Sequence, residues 1–215
     1  ERQKIKWQLL IPLLLFALYL KGLKYRTVGL AADLFQAMGA SVAQLPGGEI
    51  VPAMERGVID GFEFNNPTSD RRFGAQDVAK NYMMGSHHQA TEYFEIMFNR
   101  SKFNALPAEQ KAILQYAAEA VSSANEWKAM DYYSKDLQEL ITKDKVNVLR
   151  TPKSVFDAQI KAWDGLIAQL GQDPFMKKVM DSQKAWVRRV VYYNMYNATD
   201  YRGAFEHHFP GVIKI

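Results

Sequence analysis

The sequence predicts an α/β fold built from short strands and helices, with one long helix running past them. Three observations carry that expectation. From Leu20 to Met84, β-rich stretches alternate with short helical ones, and Gly or Pro punctuates most junctions. From Pro107 to about Lys143, apolar residues recur at helical spacing with no Gly or Pro between them. Arg26 lies in the first strand, where an α/β lobe can offer a ligand carboxylate a planar guanidinium that stays charged at any working pH.

In chain order, Leu23–Val28 reads as a strand and Ala31–Met38 as a short helix closed by Gly39 in the left-handed region. Val42–Leu45 reads as a strand and Pro46-Gly47-Gly48 as a turn. Glu49–Arg56 is expected as a helix, with Pro52 tolerated in its first turn and Gly57 ending it. Val58–Phe64 returns as a strand, and Asn66-Pro67 opens a polar helix to about Asp77. Ala79–Met84 is the next strand, and Glu92–Asn99 is a β-rich run long enough to cross between lobes. Pro107 starts the long helix, where its missing N–H costs nothing. A strand at Val146–Leu149 follows, then a helix from Thr151-Pro152 to about Leu170. The last helical stretch runs from Asp173-Pro174 to about Thr199, with Trp186, Tyr192, Tyr193 and Tyr196 read as a packing face.

The 215 residues suffice for a sizeable core, as one large domain or two small lobes. Hydrophobic residues at 48 % and charged residues at 23 % are the balance of a globular chain. The net charge of +4 comes from scattered Lys and Arg, with no basic stripe or recognition module, so no nucleic-acid partner is expected. Absence of Cys excludes a disulfide scaffold, a thiolate metal site and a cysteine nucleophile. Glu63 with Glu92 or His88 offers an acid and a base. No nucleophile elbow, phosphate loop or H-E-x-x-H accompanies them, so the chain reads as a non-enzyme. His87 and His88 are expected on a strand and therefore on opposite faces, which argues against a zinc site; His207-His208 is equally ill placed. Read from residues alone, Arg26 could also pair with Glu63 or Asp60 as a structural ion pair.

Residues 1–20 stand apart. Arg2, Lys4 and Lys6 lead into an apolar run, Trp7–Leu20, broken only by Gln8 and Pro12. As a helix it would reach roughly 21 Å, against about 30 Å for the hydrocarbon core, so it is too short to span. It has the layout of a secretory signal without a small-x-small cleavage pattern, and a buried core helix is the alternative.

The order and spacing of K-G-L-K-Y-R, G-G-E-I-V-P-A-M-E-R-G-V-I-D-G-F-E, and the long helix after L-P-A-E-Q-K, resemble the solute-binding proteins of tripartite ATP-independent periplasmic (TRAP) transporters, dicarboxylate-binding type. The resemblance runs from about Lys21 to Pro210. G-G-E-I and E-F-N-N-P are most similar to the branch that binds 2-oxo acids and other small monocarboxylates. It implies a periplasmic-binding-protein-like fold: two α/β lobes, hinge strands and one long helix closing over an organic anion, docking on a membrane permease from the periplasm.

The same resemblance implies that Arg26 clamps the solute carboxylate, with Asn65, Asn66 and Phe64 beside it. Glu63, the Phe64 carbonyl and Gln89 become candidate donors to a sodium or calcium ion bound together with the solute. Phe64 stands where the branch often has Trp, and Gln89 where it has an acidic residue, so any cation is expected to be weakly held. The chain carries only the short apolar lead where full members build most of a first lobe. It is therefore expected as an N-terminally truncated protein with exposed strand edges and apolar surface, and a homodimer is one outcome. The implied division is a lead (1–20), a second lobe (21–84 with 145–172), a hinge strand and connecting helix (85–144), and C-terminal helices (173–215). A remnant that keeps the fold but binds no solute is the alternative.

Overall fold

The computed structural model of the protein describes residues 20–89 and 93–212. The apolar lead before Leu20, and Glu92, lie outside the described residues.

Three short strands, β1 (Lys24–Arg26), β2 (Ser41–Ala43) and β3 (Gly61–Phe62), form one sheet in the order β2-β1-β3. All pairs are parallel, with Tyr25 opposite Val42 on one side and Gly61 on the other. Parallel neighbours require crossovers, and helices α1 (Leu30–Ala37) and α2 (Ile50–Glu55) supply them. Asp60 ties β3 to β1: its backbone N–H donates to the Lys24 carbonyl at 2.7 Å, and its carboxylate accepts from the Lys24 N–H at 3.0 Å. β4 (Asn81–Met84) pairs in parallel with β5 (Asn147–Arg150) as a second, two-stranded sheet. The expected α/β alternation therefore holds, with every pair parallel and with shorter strands than the sequence suggested.

Helix α1 presents Ala31, Leu34 and Phe35 at helical spacing to the interior, together with Ala32. Gly39, at φ 96°, closes it, and the Ala40 N–H reaches back to the Phe35 carbonyl. Ile50, Ala53 and Ile59 form a small core against Leu45, Phe62, Phe64 and Phe73.

The polar helix expected from Asn66 to Asp77 is two helices, α3 (Pro67–Arg72) and α4 (Ala75–Val78). Gly74 at φ 87° breaks the run, a left-handed conformation that no α-helix continues through. Asn66 caps α3 through a reciprocal box with Ser69, and Pro67 holds the first helical position. The β-rich run continuing to Asn99 forms no strand in its described part; Tyr93, Phe94 and Met97 are largely exposed. β propensity needs a neighbouring strand to become a ladder, and none of the described residues supplies one. A short helix the sequence did not suggest, α5 (Arg100–Ala105), follows, capped by Asn99.

Helix α6 (Ala108–Thr142) is continuous for 35 residues, without a break near Asn125 or Asp131. It extends about 52 Å. Helix α7 (Lys153–Leu170) packs on α1, while α8 (Pro174–Asn197) and α9 (Tyr201–His208) bury no residue among those described. The aromatic face of α8, expected to pack, is exposed, and α9 follows it within the stretch read as C-terminal helices. No described helix is long and apolar enough to cross a membrane.

Candidate functional site

Arg26 ends β1, and its side chain is 5 % exposed. Its Nε donates to the Leu45 carbonyl at 2.9 Å. Its Nη1 donates to the Glu63 carbonyl at 2.7 Å and to Glu63 Oε1 at 3.1 Å. The ion pair that residue-level reading allowed is therefore formed, with Glu63, whereas Asp60 serves the strand pair. Hydrogen bonds to described residues thus occupy two of the three guanidinium nitrogens and leave Nη2. The fully buried Thr27 hydroxyl donates to the same Glu63 oxygen at 3.2 Å, so Oε1 is held twice. Tyr25, next along β1, has its phenol raised above the usual range by burial first, then by the Glu63 charge.

Glu63 Oε2 faces His88 Nε2 at 3.7 Å. The His88 ring also packs edge-on against Phe35 and its Nδ1 lies against the Ser86 hydroxyl. His87 turns the other way, onto Phe156 at 4.9 Å. The two histidines lie in a bend after β4 rather than on a strand, yet their rings diverge as expected. Helix α7 holds this bend. Gln159, 1 % exposed, accepts from the His87 N–H at 2.9 Å and donates to Ser86 Oγ at 2.6 Å. Trp163 donates to the His87 carbonyl at 2.8 Å.

The Phe64 ring lies 5.7 Å from the Arg26 guanidinium carbon and edge-on to Phe73. It sits over Gly47, where an added Cβ would approach a ring carbon to 2.7 Å. Any larger residue there would make the ring shift. Asn66 spends its side-chain oxygen on the α3 cap and donates its amide to Asn65 at 2.8 Å. Asp70 stabilises this turn: its buried carboxylate accepts from the Asn65 N–H at 3.2 Å and from the Tyr82 hydroxyl at 2.9 Å. Burial raises the Asp70 pKa to about 6, partly offset by those hydrogen bonds.

The sequence-derived residues thus fall into two groups. Arg26, Glu63 and Phe64 meet at the carboxyl ends of β1 and β3; Asn65 and Asn66 form the adjoining turn. Gln89 follows the bend that brings His88 to Glu63. No group of three or more His, Cys, Asp or Glu residues able to hold a metal occurs among the described residues. Asp70, Tyr82, Ser86 and Gln159 went unrecognised in the sequence. Gln159 did leave a trace, as a polar residue one turn beyond the buried Val155.

A guanidinium at the carboxyl end of a parallel strand, on a lobe bordered by a helix far longer than the lobe requires, is the architecture of a bacterial solute-binding protein. The sequence matches the bacterial extracellular solute-binding proteins, family 7, over residues 19–172, and the chain belongs to that family. The family is one of transport-binding proteins rather than of enzymes.

A Nostoc monocarboxylate 2-oxoacid-binding periplasmic protein is 28 % identical over 184 residues, covering 85 % of this chain and 50 % of that protein. Two solved TRAP periplasmic solute-binding proteins share the fold. One, from Colwellia psychrerythraea with bound calcium and pyruvate, superposes with TM-score 0.78 at 28 % identity. The other, from Pseudoalteromonas atlantica with bound sodium and pyruvate, gives 0.72 at 26 %. Each match covers 90 % of this chain and 58 % of the other. The chain thus spans just over half the length of these relatives, and the periplasmic-binding-protein-like class with its long helix holds.

Proposed function

We propose that the protein captures a small organic acid, of the 2-oxo acid or related carboxylate class, for delivery to the membrane subunits of a TRAP permease. The single observation that carries this is the buried Arg26 guanidinium, whose Nη2 keeps donors that no described residue uses. A solute carboxylate reaching this edge would take a bidentate grip by displacing Glu63 Oε1 from Nη1. The relatives' acids and cations favour this reading over a protein that binds no solute. Periplasmic localisation, suggested by the family, belongs to the same proposal, as does treating residues 21–84 with 145–172 as one lobe.

The calcium and sodium bound with pyruvate in the two relatives support a weakly held cation here. Glu63, the Phe64 carbonyl and Gln89 are its candidate donors. One carboxylate with neutral oxygens suits sodium, or calcium completed by the solute's own oxygens, because affinity follows ligand charge. When bound, the ion would draw solute oxygens towards Glu63. Asn65 and Asn66 would contribute from the turn by exchanging some of the hydrogen bonds that now hold the cap.

The test is calorimetric titration with pyruvate, 2-oxobutyrate, lactate and succinate. Arg26→Ala should lose at least about tenfold in affinity, and Arg26→Lys should also weaken binding because the fork is gone. Removing Arg26 alone strands the Glu63 charge, so Arg26→Met with Glu63→Gln serves as the folded control. Retained affinity in that double variant would refute the assignment. Unchanged affinity in sodium, potassium and calcium, with a silent Glu63→Gln variant, would remove the cation.

A further inference from the structure

A cleft of about 610 Å³ opens between the Gly47-Gly48 turn, α3 and α6. Phe64 and Asn66 border it, but Arg26 and Glu63 do not. Its walls carry aromatic rings from Phe73, Tyr132 and Tyr133 and cations from Arg72 and Lys128. No Asp or Glu lines it, and no ion pair among the described residues involves Arg72 or Lys128. Thr68 also lines it, and its buried hydroxyl has no hydrogen-bond partner among the described residues.

We propose that this cleft is a second anion site, separate from Arg26, for an organic anion with a flat, apolar body. Two uncompensated cations in one concavity hold a positive potential that an anion relieves. Aromatic side chains on both sides offer faces to a planar body, which a small hydrated ion would not use. The volume falls within the range of small-molecule sites, about 300–1,000 Å³. The cations project from different elements, Arg72 from α3 and Lys128 from α6, so a bound anion would also bridge the lobe to the long helix.

The test titrates the protein with benzoate and with its neutral isostere benzamide, following the ring resonances of Tyr132 and Tyr133 by NMR. Saturable benzoate shifts are expected, persisting in Arg26→Ala and in excess pyruvate. Lys128→Gln and Arg72→Gln should each weaken benzoate about tenfold, since each removes a charged contact. Both residues are at the surface, so these variants should fold; unchanged melting curves check that. Equal binding of benzamide, loss of binding in Arg26→Ala, displacement by pyruvate, or two silent charge variants would each overturn the proposal. The Arg26 results keep failure here separate from failure of the carboxylate site.

Discussion

Asp70 is the residue whose ionisation costs the fold most visibly. Its folded pKa of about 6 lies above the ordinary 3.8, so the folded state holds the proton more tightly than the unfolded chain does. Its contribution to stability is therefore fully present below about pH 4 and lost as pH rises through 6. The upper bound is about 3 kcal/mol for a shift of this size. Thermal melts between pH 4 and 7 should show this decline in the wild type and a flatter profile in Asp70→Asn; parallel profiles would show that Asp70 titrates normally. Gly47 makes a separate prediction. A methyl there meets the Phe64 ring, so Gly47→Ala should cost roughly 1–3 kcal/mol in urea unfolding. It should also move the ring that covers Arg26 and lower acid affinity, whereas Gly48→Ala, which meets nothing, should leave affinity alone.

Among the elements, α6 has two unlike halves. Near its carboxyl end, Arg71 of α3 meets Asp136 at 3.3 Å, Glu139 at 2.5 Å and Asp144, just beyond the helix, at 3.0 Å. Leu140 is buried in the same region. Towards the amino end, Ile113, Tyr116, Val121 and Trp127 are all exposed. Helices of this length owe most of their stability to packing, so opening should follow this gradient. Hydrogen exchange is expected to be slowest near residues 134–142 and faster before 125. Arg71→Met should narrow the difference by speeding the protected end; uniform protection along α6 would contradict the account.

The proposed carboxylate site shows how much of this was readable in sequence. The family resemblance singled out Arg26, Glu63 and Phe64, and the structure brings the three together. The occupation of Arg26 by Glu63 was only one of two pairings that the residues allowed. Asp70 was invisible as a buried group, because a carboxylate in the first turn of a polar helix ordinarily faces water. Its burial depends on Tyr82, twelve positions away on a different element.

At the scale of the whole molecule, the exposed apolar surface dominates. Tyr93, Phe94, Ile96 and Met97 precede the long helix, and Trp186, Tyr192, Tyr193 and Tyr196 line α8. Clusters of this kind mark surfaces that another chain or lobe covers. A self-associating protein is the proposed outcome for this chain. Sedimentation velocity should show a dimer or larger species growing with concentration. Trp186→Glu with Tyr193→Glu should shift it towards monomer without changing the far-ultraviolet spectrum; a strictly monomeric wild type would leave those faces unexplained.

Sequence by itself determined the α/β alternation, the helix stops at Gly39 and Gly57, the cap at Asn66-Pro67 and the unbroken run of α6. Each of these depends on local backbone conformation, hydrogen bonding within a few residues, or a repeating apolar face. Tertiary structure alone decided that the stretch after Glu92 stays unpaired, that Arg71 gathers three carboxylates, and that Glu63 rather than Asp60 takes Arg26. Those outcomes turn on which distant groups arrive within hydrogen-bonding reach. Such distances are set by packing, and no residue's own neighbours in the chain encode them.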